Sequence, residues 1–378
     1  MKIINHNRQA EKIIWLSLTL AIFGLVMVSS ASLAIADKTI GNPYHYLIRQ
    51  SIFLVIGFLS AFLVTRISIS SWRNLDSIIL FFVFIQLIFV LIPGIGHQVN
   101  GSYRWLQIGP IGFQVSELAK LSLIIFTAGY ISRHYGDQLK TFSGGIMRPM
   151  LVVSIFAILL LAEPDFGATV VITATILAML FLAEVRFLHF ILILVGAILC
   201  LGALILLAPY RFERLIAFTS PWADQFNSGY QLTQALIAIG RGSWFGVGLG
   251  ESIQKLFYLP EAHTDFMFAV IGEELGFLGL LFVIILFLAI ILTGLKIGRK
   301  AHHMQMHFEA FLSYGISLWF GLQAFVSIGV NIGSLPTKGI TLPLMSSGGS
   351  SLVITCISLA LLVRVAIECN ENLQKESF

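Results

Sequence analysis

The chain has 378 residues, of which 57% are hydrophobic and only 11% charged. Soluble domains carry about 25% charged residues, so a water-soluble enzyme is excluded, and apolar runs of roughly 17–25 residues recur along the whole length. The formal net charge of +4 points to no nucleic-acid partner, because basic residues in such a chain mark orientation across the bilayer.

Ten apolar spans are predicted, at approximately 13–35, 46–65, 75–92, 117–132, 149–162, 166–184, 187–208, 265–295, 308–330 and 351–367. The expected fold class is all-α, a polytopic membrane protein forming one domain over residues 1–378. The first span is too long for a signal-peptide core and no A-x-A-like site follows it, so it is expected to stay as an anchor. Arg66, Arg73, Arg133, Lys140, Arg148, Arg186, Lys296, Arg299 and Lys300 fall in segments that are inner when the N-terminus is inside. That asymmetry places both termini in the cytoplasm. Glu163-Pro-Asp165 separates the fifth and sixth spans as a tight hairpin. Its acids are expected to cap the two helices, a cavity-facing role being the alternative. Cys200, Cys356 and Cys369 read as small buried hydrophobes, not as a disulfide framework.

Three outer segments stand out: 93–116, 209–264 and 331–350. The second, between the seventh and eighth spans, is expected to be a large structured loop. In it Leu232, Leu236 and Ile239 recur at helical spacing, with Gly240 as the expected stop. Such a helix either lies at the outer surface or packs on its neighbours. The third segment, Gly333 to Ser351, is polar and rich in Gly and Pro, and suits a re-entrant stretch or a plain external loop equally.

Chemistry concentrates between Leu259 and Gly276, which hold Glu261, His263, Asp265, Glu273 and Glu274. An acid at membrane depth is costly and needs a partner or a purpose. Asp265, at the head of the eighth span, is a candidate catalytic carboxylate, with helix capping as the structural alternative. His263, Lys255 and Arg241 in the preceding loop are available to bind an anionic substrate. Glu273 and Glu274 lie about 12–14 Å deeper and are turned roughly 80° and 180° away from Asp265. They are expected to bond neighbouring helices, while Gly272 and Gly276 have the spacing for close helix packing. Upstream, Glu117 and Lys120 are i,i+3 partners able to pair as they enter the membrane, and Trp105 also suits an interface-belt aromatic. Gly246-Val-Gly-Leu-Gly250 is discounted as a phosphate loop because no strand precedes it. His302, His303 and His307 are discounted as a metal site.

Taken together, Asn100–Lys120, Glu163–Gly167, Gly229–Leu236, Leu259–Gly276 and Leu335–Ser351 resemble, in order and spacing, the SEDS family of bacterial cell-wall polymerases. The resemblance covers the whole chain. Leu259-Pro-Glu-Ala-His-Thr-Asp265 and Pro336-Thr-Lys-Gly-Ile-Thr-Leu-Pro343 look like its cell-division branch, since the elongation branch usually has a basic residue at Ala262 and lacks Lys338. The resemblance implies a peptidoglycan glycosyltransferase that polymerises lipid II into a nascent glycan strand at the outer face of the cytoplasmic membrane, at the division septum. It also implies a class b penicillin-binding protein, the septal transpeptidase, and other division membrane proteins as partners. Carried over by position, the essential acid is Asp265, the sensitive tryptophan is Trp105, and the paired acid and lysine are Glu117 and Lys120. His263 and Thr264 flank the acid within the same motif. The leaving pyrophosphate calls for positive charge from Arg104, Lys120, Arg241 or Lys255, or from a divalent cation such as Mg or Mn. A lipid II flippase, an elongation-type polymerase and a docking scaffold are the alternatives. One departure is Ser347, where the family carries Tyr; any contact of that ring is lost while the glycines of the loop are kept.

Overall fold

The computed structural model describes residues 7–99, 102–109, 111–206, 209–337 and 339–376. Lys338 of the division-branch signature, and Asn100 and Gly101 of the upstream motif, lie outside the described residues. The elements run α1 (Arg8–Ile40), α2 (His45–Arg66), a short α3 (Ile69–Asn74), α4 (Asp76–Leu91), β1 (Gly96–Val99), β2 (Ser102–Ile108), β3 (Ile111–Gln114) and α5 (Val115–His134). Then follow α6 (Arg148–Ala162), α7 (Phe166–Leu182), α8 (Phe187–Leu206), α9 (Pro209–Thr219), α10 (Tyr230–Gly242), α11 (Met267–His303), α12 (His307–Asn331) and α13 (Ser350–Glu376). Among the described residues, 8 helices are long and apolar enough to cross a membrane. Two shorter apolar helices, α4 and α7, stand where the third and sixth predicted spans lie.

Several helices overrun the predicted spans: α1 reaches Ile40, α11 reaches His303 and α13 reaches Glu376. Hydropathy marks only the part in lipid, whereas Lys, Arg, Gln and Glu are good helix formers and carry the helix on into water. At the centre lies α5, nearly all buried, packed on α4, α7 and α12, while α11 runs between α1, α10 and α12. On the rim, α8 has no buried residue, so Cys200 is exposed, contrary to expectation; Cys356 and Cys369, both within α13, are buried as expected.

Four outer features depart from, or decide between, the sequence expectations. The segment 96–114 folds into an antiparallel sheet of order β1-β2-β3, with Trp105 opposite Gln114 and Leu106 opposite Phe113. α10 packs inward on α11, burying Leu232, Ala235 and Ala238, and runs past Gly240 to Gly242. α11 is broken at Gly276, whose φ is 67°. There the Phe277 and Leu278 N–H groups donate to the Ser243 and Trp244 carbonyls, and Val247 and Gly248 donate to the Glu273 and Glu274 carbonyls. The loop thus supplies the bonds that the interrupted helix lacks, which a break at membrane depth requires. Of the expected small-residue pair, Gly272 does serve close packing, facing the Ile239 side chain of α10, whereas Gly276 is the break itself.

The fourth feature is the segment between α12 and α13, which is re-entrant and not a plain external loop. Leu342, Leu344 and Met345 are buried, and a Cβ on Gly24, midway along α1, would lie 2.6 Å from the Met345 Cα. Only a residue without a side chain lets the re-entrant backbone come that close. At the α6–α7 turn Asp165 caps α7 as expected, accepting from the Ala168 N–H at 3.1 Å.

Candidate active site

The turn before α11 is wound tightly around one carbonyl. The Glu261 carbonyl accepts from the N–H groups of Thr264 (3.1 Å) and Phe266 (3.2 Å), with Glu261 itself at φ 55°. Thr264 Oγ1 donates to Glu261 Oε2 at 2.7 Å. The helix starts at Met267 with Phe266 in the cap position, so Asp265 stands one residue ahead of the cap and is not the cap itself. The re-entrant segment clamps this turn: Ser346 Oγ donates to the Thr264 carbonyl at 2.5 Å and the Ser347 N–H to the His263 carbonyl at 2.9 Å. A Cβ on Gly339 would lie 3.3 Å from Asp265 Oδ2, so the carboxylate faces that part of the segment.

In front of the turn is a cavity of about 770 Å³, lined among others by Tyr46, Arg49, His97, Trp105, His263 and Thr264. Side chains alternate across a strand. Trp105 and Gln107 therefore look into the cavity, while Arg104 looks away, donating to the Glu163 carbonyl at 3.1 Å and the Pro164 carbonyl at 2.6 Å. Adjacent residues of one motif thus have different tasks: Trp105 is a wall, Arg104 a strut. His263 is buried, with its ring 4.5 Å from that of Tyr46. Burial holds its pKa below the usual histidine value, against the opposing pull of Glu261, so it presents a neutral imidazole at pH 7.

Lys120, Arg241 and Lys255 are each paired with an acid. Lys120 donates to Glu117 Oε1 at 2.8 Å and to Gln323 Oε1 at 2.7 Å, and Gln323 Nε2 donates to the Thr341 carbonyl at 3.1 Å. This links α5, α12 and the re-entrant segment. Arg241 meets Glu273 at 2.8 Å and Lys255 meets Glu274 at 2.6 Å, so each nominated loop cation is held by one of the deep acids. Ser252 Oγ and the N–H groups of Ile253 and Gln254 complete the shell of Glu273; Ser30 Oγ completes that of Glu274. Among the described residues no three His, Cys, Asp or Glu side chains converge.

At the outer α6–α7 turn, Glu163 holds the C-cap position of α6 through its backbone N–H, which donates to the Leu159 carbonyl at 3.1 Å, while both of its carboxylate oxygens are buried without a hydrogen-bond partner among the described residues. Burial, reinforced by Asp165 and opposed by Arg104, pushes its pKa up to about 9. A folded-state value above the ordinary 4.5 means that the wild type loses stability as pH rises from about 4.5 to about 9, since only the unfolded chain ionises there. Glu163→Gln is expected to remove that dependence, so that its melting-temperature advantage over wild type grows across the same window.

The comparisons with known proteins follow this geometry. The sequence model of a family described as cell cycle protein (FtsW, RodA, SpoVE) matches residues 11–371. The chain belongs to the FtsW/RodA/SpoVE family. A "Probable peptidoglycan glycosyltransferase FtsW" of Legionella pneumophila is 52% identical over 346 residues, covering 92% of this chain and 88% of the relative. The protein of that name from Nitrosococcus halophilus is 54% identical over 345 residues, covering 91% and 89%. Among solved structures, a chain of a peptidoglycan synthase complex described as coordinating polymerization and crosslinking superposes with TM-score 0.78 at 27% identity, covering 94% of this chain and 97% of that one. The rod shape determining protein RodA of Thermus thermophilus superposes with TM-score 0.68 at 26% identity, covering 94% and 95%.

For this FtsW/RodA/SpoVE chain, three residues at or near the site escaped the sequence reading. Arg49 is an exposed cation on the cavity wall, 5.9 Å from the Phe53 ring, and in sequence it looks like any basic residue near a helix end. Gln323 and Asn331 are polar residues in an apolar run, fully or nearly fully buried. Their presence at membrane depth was the available signal.

Proposed function

We propose that the chain is a peptidoglycan glycosyltransferase that polymerises lipid II into glycan strands at the outer face of the bacterial cytoplasmic membrane, during septal wall synthesis. The observation that carries this is the cavity lined by Glu261, His263 and Thr264 of the turn that leads into Asp265, Asp265 itself lying just behind that lining. One end is polar and aromatic, and the opposite wall continues down α2 as Ile48, Ile52 and Ile56, which are exposed. Such a site suits a substrate with a sugar–pyrophosphate head and a polyprenyl tail in lipid.

In this reading the Asp265 carboxylate takes the proton of the acceptor sugar 4-hydroxyl. The freed oxygen bonds to the anomeric carbon of the donor as that carbon's bond to the pyrophosphate breaks. Undecaprenyl pyrophosphate leaves with the electron pair, and the proton passes from Asp265 to water. Trp105 offers a face for a sugar ring; Thr264 and neutral His263 offer hydrogen bonds. Glu117 and Lys120 brace the re-entrant segment through Gln323. Among the described residues, Arg49 lines the cavity and is assigned the positive charge for the leaving group, since Arg104, Lys120, Arg241 and Lys255 are engaged elsewhere. The flippase alternative is disfavoured by Leu344 and Met345, which fill the middle of the bundle against α1. A class b penicillin-binding protein is the proposed partner, in keeping with the polymerization–crosslinking complex that the fold matches.

The test is purified protein with that partner and lipid II, scored for polymer and separately for translocation. Translocation without polymer contradicts the reading. In the same assay Arg49→Ala is expected to lower kcat/KM roughly 10²-fold, the usual cost of one charge-stabilising group, with Arg49→Lys between the two.

A further inference from the structure

We propose that Asn331, the last residue of α12, is a positioning residue for Asp265, capping α11 from a different helix and fixing the peptide that carries the carboxylate. This rests on the reading of Asp265 as the base. The first N–H groups of a helix have no partner within it, and a side-chain oxygen ordinarily takes the one at the second or third position. α11 has no such side chain of its own, since Phe266 holds the cap position. Asn331 supplies the side-chain acceptor: its Oδ1 accepts from the N–H of Ala269, the third residue of α11, at 3.0 Å, an N–H shared with the Phe266 carbonyl at 3.1 Å. Its Nδ2 donates to the Asp265 carbonyl at 2.9 Å and to the Ser327 carbonyl at 2.8 Å.

These partners settle which end of the amide is which, because an N–H can meet only the oxygen and carbonyls only the nitrogen. The side chain is fully buried and uses both donors and its acceptor, a combination that neither Asp, Ser nor Leu can reproduce. Asp265 is thereby held from both sides. Its own carbonyl is tied to α12, and the preceding Thr264 carbonyl is tied to Ser346 of the re-entrant segment. With the peptide fixed at both ends, the carboxylate is left pointing at Gly339. A base loses rate steeply with misplacement, about 10²-fold for 1 Å.

The experiment measures lipid II polymerisation by the full chain with its partner, for N331A, N331D and D265N, alongside melting temperature in detergent. Expected for both Asn331 variants is a kcat about 10- to 100-fold lower, with KM for lipid II within about twofold of wild type. N331D, isosteric and able to keep the Ala269 bond, is expected to stay folded and still lose kcat. Wild-type kcat in the Asn331 variants beside an inactive D265N overturns this proposal alone. So does a raised KM at unchanged kcat, or a kcat loss that tracks loss of folded protein in both variants. Wild-type kcat in D265N overturns the base assignment and this proposal with it.

Discussion

Replacing Asp265 with Asn is expected to abolish glycan polymerisation while leaving the protein folded, in the membrane and bound to its partner. Asn has the same shape and still accepts a hydrogen bond, but it cannot take the proton of the attacking hydroxyl. General-base help is worth about 10²–10⁴-fold, so the residual rate falls below ordinary detection in a lipid II assay. The backbone of the turn is held on either side by the Glu261 carbonyl, Ser346 and Asn331. Asp265→Glu moves the carboxylate by one methylene toward a wall already close, Gly339, and is expected to retain only a small part of the rate. A polymerisation rate for Asp265→Asn within a few-fold of wild type refutes the assignment.

Glu274→Ala is expected to destabilise the protein by about 3–5 kcal/mol, the cost of leaving one partner of a buried ion pair behind. Lys255 is only 8% exposed at its side chain, and its ammonium is held by Glu274, Ser30 Oγ and the Gly250 carbonyl. Without Glu274 that charge keeps two neutral acceptors and no counter-charge. The loop from Gly242 to Leu259 threads the break in α11 here and runs directly into the Asp265 turn, so activity falls together with stability. The double variant Glu274→Leu with Lys255→Met is expected to recover most of the lost stability, because apolar replacement of a whole buried pair is often neutral. Thermal unfolding of the detergent-solubilised protein checks both. An unchanged melting temperature in Glu274→Ala shows that the pair does not hold the loop.

The helices were legible, and Asp265 could be singled out as a candidate, because both signals are local. A run of apolar residues implies a span wherever it occurs, and Asp265 sits at a recognisable boundary within a recognisable motif. The sheet at 96–114 was not legible as such, although Tyr103, Trp105 and Gln107 alternate with Arg104 and Leu106. A short alternation among long helices carries little weight by itself. The break at Gly276 was also hidden, since a glycine pair spaced for helix packing reads the same whether the helix continues or not.

By itself, then, the sequence determined that this is a multi-pass membrane protein of one family, and it singled out Asp265 as the candidate acid. Only the tertiary structure decided which of the described cations are held in ion pairs and which face the cavity. Arg241 and Lys255 looked available in a loop, yet Glu273 and Glu274 hold them, while Arg49 on α2 was overlooked and faces the cavity. Hydropathy acts residue by residue along the chain, so it can be read in order. An ion pair depends on which helices lie within a few ångströms, and that is settled only when the bundle closes.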